Sequence, residues 1–400
     1  MPEKIAYIIS QYPAINHTFM LREVRQMAAL GWEVGRYSIR LPDRPAEKLS
    51  PEEQDEFQHT RYVKQAGFGE IFRIHAAVFA GSPLRYLRVL WHILCQGHRN
   101  PRSIAQRAFY FAEAVILGRW LLDDGYRHLH SHYSPLVAML VGRIFPSITY
   151  SMTVHGPDEF QDVKGGLLAE KIGESLLSVA ISYFAKSQMM MHSEAIHWHK
   201  IHPCYLGVAE QPPAPARASS GPVKFLCVGR LAPVKGQHIL VEAARLLADQ
   251  GQEFVITIAG GGPELGFLRR RAEELGLAGK VVLPGFVSQE ELDRLYAETD
   301  VFVLPSFAEG LPGVLMEAMS GGVPCITTYV NGVPELVEHG VSGLLVTPAD
   351  EKDLARAMHQ LIADGTLRRQ LGENGRQRVL EKFNLRQNVE TLSSLFRRYL

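Results

Sequence analysis

A glycine-rich turn in the segment VFVLPSFAEGLPGVLMEAMS, residues 301–320, has the composition of a phosphate site. The apolar start of the segment predicts a strand that ends near Pro305, and Pro312 suits the first turn of a helix that runs to about Ser320. The turn Gly310–Gly313 would then present backbone N–H groups at the N-terminus of that helix. Such groups bind anions and glycines permit close approach, so the segment predicts a diphosphate site.

Two glutamates flank this turn. Glu309 precedes the predicted helix and Glu317 lies eight positions further on, so both could face one site at different depths. Taken alone, the pair has a simpler explanation, because helices often carry an acid near the N-terminus and an exposed glutamate later.

A pair of cations follows another predicted strand. In KFLCVGRLAPVKG, Arg230 comes directly after Gly229 at the strand end, and Lys235 lies five residues further on. Two cations at the carboxyl end of a parallel strand are suited to neutralising a leaving diphosphate. A third turn, IAGGGPE at 258–264, is rich in glycine but lacks the GxGxxG spacing of a dinucleotide fold. It therefore supports an NAD-dependent oxidoreductase poorly.

Short apolar runs that alternate with amphipathic stretches would position these residues. Near-continuous apolar strands separated by helices indicate parallel sheets covered on both faces. The predicted strands are Ile5–Ser10, Glu33–Ile39, His128–His132, Ile148–His155, Ser178–Phe184, Lys224–Gly229, Phe254–Gly260, Lys280–Leu283, Val301–Pro305, Cys325–Thr328 and Gly343–Val346. A proline-rich stretch at 209–222 interrupts the pattern and predicts a hinge.

The chain of 400 residues exceeds what one hydrophobic core usually supports. We therefore predict an α/β protein with two doubly wound domains, at 1–208 and 223–384, joined by the hinge. The tail 385–400 has apolar residues at helical spacing and would either cross back to the first domain or pack on its own. Ligands of such sheets bind beyond the carboxyl ends of the strands, so we expect the site in the cleft between the domains.

The segment 71–122 does not fit the alternation and predicts two or three inserted helices. Between residues 71 and 112 it has no aspartate or glutamate but six arginines, namely Arg73, Arg85, Arg88, Arg99, Arg102 and Arg107. One interpretation is a helical cap with a solvated basic face. The other is a surface that meets anionic lipid or receives a lipid-linked acceptor, where each arginine contributes on the order of 1 kcal/mol.

One histidine of the first half follows a predicted strand. In SMTVHGPDEF, His155 comes at the strand end and is followed by Gly156 and Asp158. Most histidines are structural, but a ring at the tip of a strand would face the predicted site. Asp158 would either belong to that site or cap the next helix.

Taken together, these motifs resemble the retaining glycosyltransferase family 4. The resemblance rests on Arg230 with Lys235, the GGGPE turn, the PGFV turn at 284–287 and EGLPGVLME with its two spaced glutamates, and it is dense from Val223 to about Leu361. It implies the GT-B fold, in which two Rossmann-like domains face each other and the second holds a nucleotide-sugar donor.

The resemblance also implies a role for each matching residue. Arg230 and Lys235 would bind the donor phosphates, Glu309 would lie near the transferred sugar, and Glu317 would hold the ribose hydroxyls. The backbone near Phe286 would meet the base. His155 matches the family's active-site histidine, which contacts the transferred sugar and can donate a hydrogen bond. The remaining donor-side candidates are Gly229, Gly261, Val287, Gly310, Leu311, Pro312 and Gly313.

The loop after the first strand departs from the broad family pattern. It is similar to the subgroup that builds exopolysaccharide repeat units, such as colanic acid-type transferases, which often have YPxxSETF here. In this chain Asn16 and His17 replace the serine and glutamate, while Thr18 and Phe19 remain. Asn16 or Thr18 would touch the acceptor or the donor phosphates, although a simple loop cap explains them nearly as well.

The composition of the chain restricts the classes of molecule that we expect it to bind. Lysine plus arginine and aspartate plus glutamate each total 42, so the charge does not indicate a nucleic-acid partner. The start of the chain lacks the pattern of a secretory signal, and no apolar run is long enough to span a membrane. We expect a cytoplasmic protein, peripheral on the inner face of the membrane if the basic segment binds lipid. No DxD sequence occurs, so we expect fixed cations to replace a metal and no cofactor beyond the donor substrate.

The predicted function is transfer of a hexose, with retention, from a GDP- or UDP-sugar to a glycan or lipid-linked saccharide. One alternative is a GT-B nucleotide-sugar epimerase, which would need a donor but no acceptor. Another is a non-catalytic protein that binds sugar nucleotides, although every expected position from Arg230 to Glu317 is filled.

Overall fold

The chain forms two compact units. The first comprises Met1–Tyr205 with Arg386–Leu400, and the second comprises Leu206–Leu385. The structure is a computed structural model that describes residues 3–15, 18–97, 100–212 and 221–400. Two positions of interest from the sequence, Asn16 and Arg99, lie outside the described residues, as does most of the proline-rich stretch.

A parallel seven-stranded sheet forms the centre of the first unit. Its strands are β1 (Lys4–Gln11), β2 (Glu33–Arg40), β3 (Thr60–Tyr62), β4 (His128–His132), β5 (Thr149–Val154), β6 (Leu177–Ala180) and β7 (Ile201–Pro203). The order across the sheet is β3-β2-β1-β4-β5-β6-β7. The sequence did not predict β3 and β7, because a three-residue edge strand is too short to show a pattern.

Nine helices accompany this sheet among the described residues before the second unit. They are α1 (Thr18–Ala29), α2 (Pro51–Gln58), α3 (Phe68–Gly81), α4 (Pro83–Cys95), α5 (Pro101–Asp123), α6 (Pro135–Ile144), α7 (Asp158–Gln161), α8 (Leu168–Glu174) and α9 (Tyr183–Met191). The strand predicted over 178–184 is wrong in its second half. Ser182 accepts a hydrogen bond from the Ala185 N–H (3.0 Å) and so begins α9 instead.

The helices α3, α4 and α5 account for the segment 71–122, where two or three helices were predicted. Their buried sides meet in one core that includes Ile74, Ile93 and Phe111. One of the six arginines of this segment, Arg107, does not lie on a solvated face. That side chain is buried on α5, against Gly97, while the described arginines of α3 and α4 are exposed.

A parallel six-stranded sheet forms the centre of the second unit. Its strands are β8 (Val223–Val228), β9 (Phe254–Ala259), β10 (Val281–Gly285), β11 (Val301–Leu304), β12 (Cys325–Thr328) and β13 (Leu344–Val346), in the order β10-β9-β8-β11-β12-β13. The chain moves outward from β8 to β10 and then returns to place β11 on the other side. The topological switch point therefore lies between β8 and β11.

The helices of the second unit cover both faces of its sheet. They are α10 (Gln237–Asp249), α11 (Leu265–Glu274), α12 (Gln289–Glu298), α13 (Gly313–Ser320), α14 (Val333–Leu336), α15 (Glu351–Ala363) and α16 (Gly365–Lys382). Phe225, Ile256 and Val303 from three neighbouring strands form the centre of the core. These strands are buried on both sides, which explains their near-continuous apolar sequences.

The last helix, α17 (Leu385–Tyr399), packs in the first unit. The Trp32 indole N–H donates to the Ser393 hydroxyl (2.8 Å), and the ring of Phe396 lies edge-on to His130. None of the described helices combines the length and the apolar character needed to cross a bilayer.

Candidate functional site

Four loops meet at the carboxyl end of the sheet in the second unit. They follow β8, β9, β10 and β11, which are neighbours in the sheet. Backbone hydrogen bonds join them, because the Gly260 N–H donates to the Gly285 carbonyl (2.8 Å) and the Leu231 N–H donates to the Gly261 carbonyl (2.9 Å). The motifs that were separate in the sequence therefore form one surface at the strand ends.

Glycine is required where these loops touch. Gly260 has φ +151°, and a Cβ there would collide with the carbonyl oxygen of Gly229. Gly236, with φ +63°, leads from the loop after β8 into α10, and its Cβ would collide with the carbonyl oxygen of Pro305. The Phe307 N–H donates to the Val234 carbonyl (2.8 Å) across the same contact. These contacts hold the loop after β8 against the loop after β11.

A buried carboxylate and a lysine form the centre of this surface. The ammonium Nζ of Lys235 lies 2.6 Å from Oε1 of Glu309, and the Ser306 hydroxyl donates to the same oxygen (2.6 Å). Glu309 is only 8% exposed. Its backbone N–H donates to Oδ1 of Asn331 (3.2 Å), a residue that sits at φ +43°. The structure thus places two predicted site residues in direct contact.

The two predicted cations have different surroundings. The binding of donor phosphates by Arg230 and Lys235 remains a prediction, and Lys235 is bonded to Glu309 in the structure. Arg230 is exposed, and its backbone carbonyl accepts from the Gln237 side chain (3.1 Å). An anion arriving here would meet one exposed guanidinium and one ammonium that already has a carboxylate beside it.

The helix after β11 begins one residue later than predicted. Pro312 has extended backbone (φ −73°, ψ 116°) and is the N-cap, so the helix starts at Gly313. Proline has no N–H, and the amides that α13 offers are those of Gly313 and the residues after it. A Cβ on Gly313 would meet open space, whereas Leu311 is buried beneath the turn. The N-terminus of α13 is therefore accessible to an anion.

Glu317 lies one turn into α13, on the same side as Gly313, and is half-buried. It is close to Tyr296 of α12. Burial raises the pKa of Tyr296 well above its usual range, and the charge of Glu317 raises it further. The hydroxyl of Tyr296 donates to the Val314 carbonyl (3.2 Å), which fixes α12 against α13. The ribose role of Glu317 remains a prediction.

The PGFV turn offers an exposed aromatic ring. Phe286 is 66% exposed, and Val287 is half-buried beside it. A Cβ added to Gly261 would lie 3.9 Å from the Cβ of Phe286, so the glycine loop after β9 passes next to this ring. A bare glycine backbone beside an exposed ring is suited to a flat group, and binding of the base here remains a prediction.

The histidine predicted for the site comes directly after β5 in the first unit. His155 is 5% exposed, and its ring packs against Phe19 (ring centroids 5.2 Å apart) and Tyr133 (4.4 Å, stacked). Its backbone N–H donates to Oε2 of Glu159 (2.5 Å). Burial raises the pKa of Glu159, while hydrogen bonds from the His155 and Gly156 amides oppose that rise. Glu159 thus fixes the turn that follows β5.

A column of histidines lies beside His155. His128, His130 and His132 alternate along β4 and point to the same face. The nitrogens of His128 and His130 lie 2.7 to 2.9 Å from hydroxyls of β5, and His132 Nδ1 lies 2.8 Å from His155 Nε2. Burial lowers the pKa of His128 to about 3 and that of His130 well below its usual range.

Glu23, His130 and His132 bring three possible metal-ligand atoms within 4.8 Å of one another. Each of these imidazole nitrogens already has a hydrogen-bond partner. Both nitrogens of His130 face hydroxyl groups, and those of His132 face His155 and Glu23. The donor set therefore fits a hydrogen-bond network, and the metal independence of the reaction stays a prediction.

The weaker acceptor-side candidates have different positions. Thr18 is the first residue of α1 and is half-buried. Asp158 is exposed at the start of α7, where Pro157 is the N-cap and no side-chain cap bond forms. The alternative that Asp158 caps this helix is wrong. Its side chain accepts a hydrogen bond from the Gln161 amide (3.4 Å).

A family comparison now identifies the second unit. Residues 210–378 match the model of the glycosyl transferases group 1 family. The second unit therefore contains a glycosyl transferases group 1 domain. The chain is 26% identical over 98% of its length, and 99% of the other chain, to a protein of Escherichia coli K12 named as the colanic acid biosynthesis glycosyltransferase WcaL. It is 40% identical, over 35% of its length and 36% of the other chain, to the amylovoran biosynthesis glycosyltransferase AmsK of Erwinia amylovora.

Solved structures show the fold of this protein. The Anabaena protein Alr3699/HepE, in complex with UDP and glucose, matches 99% of this chain and 100% of its own with a TM-score of 0.74 and 17% identity. Together with the two parallel sheets, this likeness shows the GT-B fold that the sequence predicted.

Several residues of the candidate site were missed by sequence reasoning. In the second unit these are Ser306 and Asn331, which hold Glu309. In the first unit they are Glu159, which holds the His155 backbone, and the pair Glu23 and His132 beside the His155 ring. The alternation HLHSH was a usable signal, because three histidines on one face of a buried strand need polar partners.

Proposed function

We propose that this glycosyltransferase is a retaining, metal-independent hexosyltransferase that moves a hexose from a GDP- or UDP-sugar to a glycan or lipid-linked saccharide. The observation that carries the proposal is the contact of Lys235 with Glu309 at the switch point of the second sheet. It lies beside the open N-terminus of α13. A fixed cation and helix amides at this place are suited to a diphosphate.

The proposed reaction breaks the bond between the anomeric carbon and the diphosphate oxygen. Negative charge grows on the leaving diphosphate, and Arg230, Lys235 and the amides at Gly313 would stabilise it. The acceptor oxygen bonds to the anomeric carbon on the face that the diphosphate leaves, and the acceptor proton passes to a phosphate oxygen. This front-face course gives retention without a covalent intermediate.

Glu309 has a positioning task in this scheme. Ser306 and the Asn331 contact hold the carboxylate and its backbone, and the carboxylate holds the ammonium of Lys235. The arrival of a diphosphate would give Lys235 a second anionic partner without moving it far. Glu309 then also faces the transferred sugar, whose hydroxyls can donate to a carboxylate.

The relatives support a role in surface polysaccharide synthesis. Two of them are named for colanic acid and amylovoran biosynthesis. The Anabaena structure contains UDP and glucose, which favours testing uridine donors first. A thermal-shift panel of nucleoside diphosphates and their hexoses identifies the donor, since preferential binding raises the melting temperature.

The test of the transfer itself uses Glu309→Gln. With labelled donor and a bacterial lipid or glycan extract, we expect the substitution to lower the transfer rate by about 10²–10³ with the fold intact. The matched control is Glu298→Gln, because Glu298 also pairs with a lysine (Lys224, 3.0 Å) but lies on the surface of α12. Wild-type turnover in Glu309→Gln would remove Glu309 from the site.

The same assay separates the alternatives. A nucleotide-sugar epimerase would convert the donor with no acceptor present, and a binding protein would shift the melting temperature without turnover. Labelled product that forms only when acceptor is added supports transfer. Its anomeric configuration, determined by NMR, tests retention directly.

We also propose that the helical segment attaches the enzyme to anionic membrane. The solvent sides of α3 and α4 carry apolar side chains at helical spacing, among them Phe72, Leu84 and Trp91, which is 72% exposed. Arg85 and Arg88 are exposed beside them on α4. Exposed aromatic and leucyl groups next to arginines, with no acid between residues 71 and 112, match the apolar and negative layers of a lipid surface.

Vesicle binding tests this attachment. We expect the tryptophan fluorescence to shift to the blue with vesicles of phosphatidylglycerol and phosphatidylcholine, and much less with phosphatidylcholine alone. Arg85→Gln with Arg88→Gln should weaken binding by about tenfold or more, since each arginine contributes about 1 kcal/mol. Met191→Ser with Ile196→Ser is the control, because both are exposed apolar residues outside the segment. Unchanged vesicle binding by the arginine variant would mean that these arginines form an ordinary solvated face and do not bind lipid.

A further inference from the structure

Three buried side chains form a hydrogen-bonded chain that ends on His155. Oε1 of Glu23, on α1, lies 3.2 Å from Nε2 of His132, and Nδ1 of His132 lies 2.8 Å from Nε2 of His155. The Tyr7 hydroxyl donates to the same oxygen of Glu23 (3.0 Å). All four side chains are nearly or fully buried. These hydrogen bonds join residues from β1, α1, β4 and the turn after β5.

The donor and acceptor capacities of these groups restrict the proton positions. A carboxylate only accepts hydrogen bonds, so the proton between Glu23 and His132 must be on His132 Nε2. A neutral imidazole carries one N–H, and His132 Nδ1 is then an acceptor. The proton of the next hydrogen bond must therefore come from Nε2 of His155.

We propose that Glu23 and His132 are positioning residues that hold His155 as the Nε2–H tautomer, with Nδ1 as a hydrogen-bond acceptor. The inference deepens the proposed function, because Nδ1 would then accept from a hydroxyl of the transferred sugar. The sequence resemblance had implied a donating histidine, so the proposal makes a different statement about the same ring.

The opposite arrangement would need a charged His132 or a protonated Glu23. In either case His132 Nδ1 would donate, so His155 Nε2 would accept and its Nδ1 would carry the proton. His132 is fully buried, and the neighbouring rings of His130 and His155 lie 4.8 and 4.9 Å away. Its contact with Glu23 matches the carboxylate–histidine pairs of hydrolytic triads, which rest with an ionised carboxylate and a neutral ring.

Because of the packing around His155, its tautomer decides which kind of hydrogen bond the ring can make with a substrate. Phe19 and Tyr133 pack against the ring and restrict it, and the bond of the backbone N–H to Glu159 fixes the turn. A ring that cannot rotate freely presents one nitrogen to a substrate. Whether that nitrogen donates or accepts is then decided by the other nitrogen, and so by His132 and Glu23.

Nitrogen NMR of the full chain, labelled with ¹⁵N-histidine, measures the tautomer directly. Protonated and bare ring nitrogens have well-separated resonances, and His155→Gln assigns the His155 signals by difference. We expect Nε2 protonated and Nδ1 bare in the wild-type chain. A wild-type His155 with Nδ1 protonated, or a doubly protonated His132, would overturn the proposal.

Glu23→Gln tests the origin of the tautomer. The amide has nearly the same shape, but it can donate as well as accept, so it no longer dictates the His132 proton. We expect the Nδ1–H form of His155 to become populated and the transfer rate constant kcat to fall about tenfold or more, with the donor KM nearly unchanged. An unchanged tautomer would show that Glu23 does not control it.

Glu56→Gln is the matched control. Glu56 is also a buried carboxylate of the first unit that accepts from a tyrosine, Tyr12 (2.8 Å), but its charged partner is Arg36. This substitution should leave the His155 signals unchanged. The tautomer is read without substrate, so a wild-type chain with the expected tautomer but no transfer to any acceptor would contradict the proposed function and not this inference.

Discussion

The two units have different kinds of polar group at the carboxyl ends of their sheets. In the second unit, a lysine and a glutamate are in contact beside the N-terminal amides of α13, and this arrangement is suited to a charged ligand. In the first, histidines with lowered pKa values and hydroxyl groups form a buried polar column next to His155. One surface is built around a charged pair and the other around imidazole and hydroxyl groups.

This difference matches what each half of the proposed reaction requires. A leaving diphosphate gains negative charge, and only cations or aligned amides respond to that change. A sugar hydroxyl gains no full charge, so neutral groups with fixed hydrogen-bond directions are enough to orient it. The comparison therefore predicts that substitutions in the second unit affect the rate most, while those in the first unit affect orientation and stability.

Lys235→Met should produce the largest effect. Removal of the ammonium leaves the diphosphate without its half-buried cation, and we expect the transfer rate constant kcat to fall about 10²–10³-fold. Steady-state kinetics with labelled donor measures the loss. Lys224→Met is the control, because Lys224 is also ion-paired but lies at the start of β8. A loss of less than tenfold would contradict the charge-based description of this surface.

The loops at the strand ends of the second unit were easier to predict from the sequence than the surroundings of His155 in the first unit, for a physical reason. Loops that touch backbone to backbone require glycine, as at Gly236 and Gly260, and such requirements appear as short local motifs. The strands there were also placed within a few residues. The partners of Glu309 were not foreseen, since Asn331 is twenty-two positions away.

The first-unit surface depends on contacts between distant segments. His132 meets Glu23, 109 positions earlier in the chain, and no spacing rule connects them. The short edge strands β3 and β7 were likewise missed, because pairing with a neighbour and not local pattern makes them strands. Ser182 ended a predicted strand through a cap that depends on backbone geometry.

Gly236→Ala tests whether the loop contact, and not only the backbone angle, shapes the charged surface. We expect a loss of about 2–4 kcal/mol in the free energy of unfolding, from the left-handed backbone and from the collision with Pro305. Gly279→Ala is the matched control, with φ +79° and no atom near its Cβ, and should lose about 1 kcal/mol. Equal losses in urea denaturation would mean that the contact with Pro305 adds nothing.

The neutral histidine column predicts that the first unit loses stability in acid. The pKa of His128 is about 3 in the folded chain, against roughly 6.5 for an exposed ring, so the unfolded chain binds more protons at intermediate pH. The stabilisation is complete above pH ~6.5 and is lost as the pH falls towards 3. Between pH 7 and pH 4 we expect His128 to account for about 3 kcal/mol.

Tryptophan fluorescence reports this loss for the first unit alone, because all four tryptophans lie in it. His128→Gln should reduce the pH dependence, since glutamine keeps hydrogen-bonding capacity without titrating. His59→Gln is the control, because that side chain is exposed. A pH dependence that is the same in wild type and His128→Gln would show that the column does not set the acid sensitivity.

Asp158→Asn should have the smallest effect. It tests whether the groups that orient the substrate in the first unit include Asp158, in the turn after β5. The carboxylate is exposed and caps no helix, so we expect the free energy of unfolding to change by less than about 0.5 kcal/mol. Any kinetic change then reports a contact with substrate. If Asp158 accepts from an acceptor hydroxyl, the acceptor KM rises by up to about tenfold while the donor KM stays constant. Unchanged KM values for donor and acceptor would show that Asp158 does not contact the acceptor. The groups that orient the substrate would then be those of the buried column around His155.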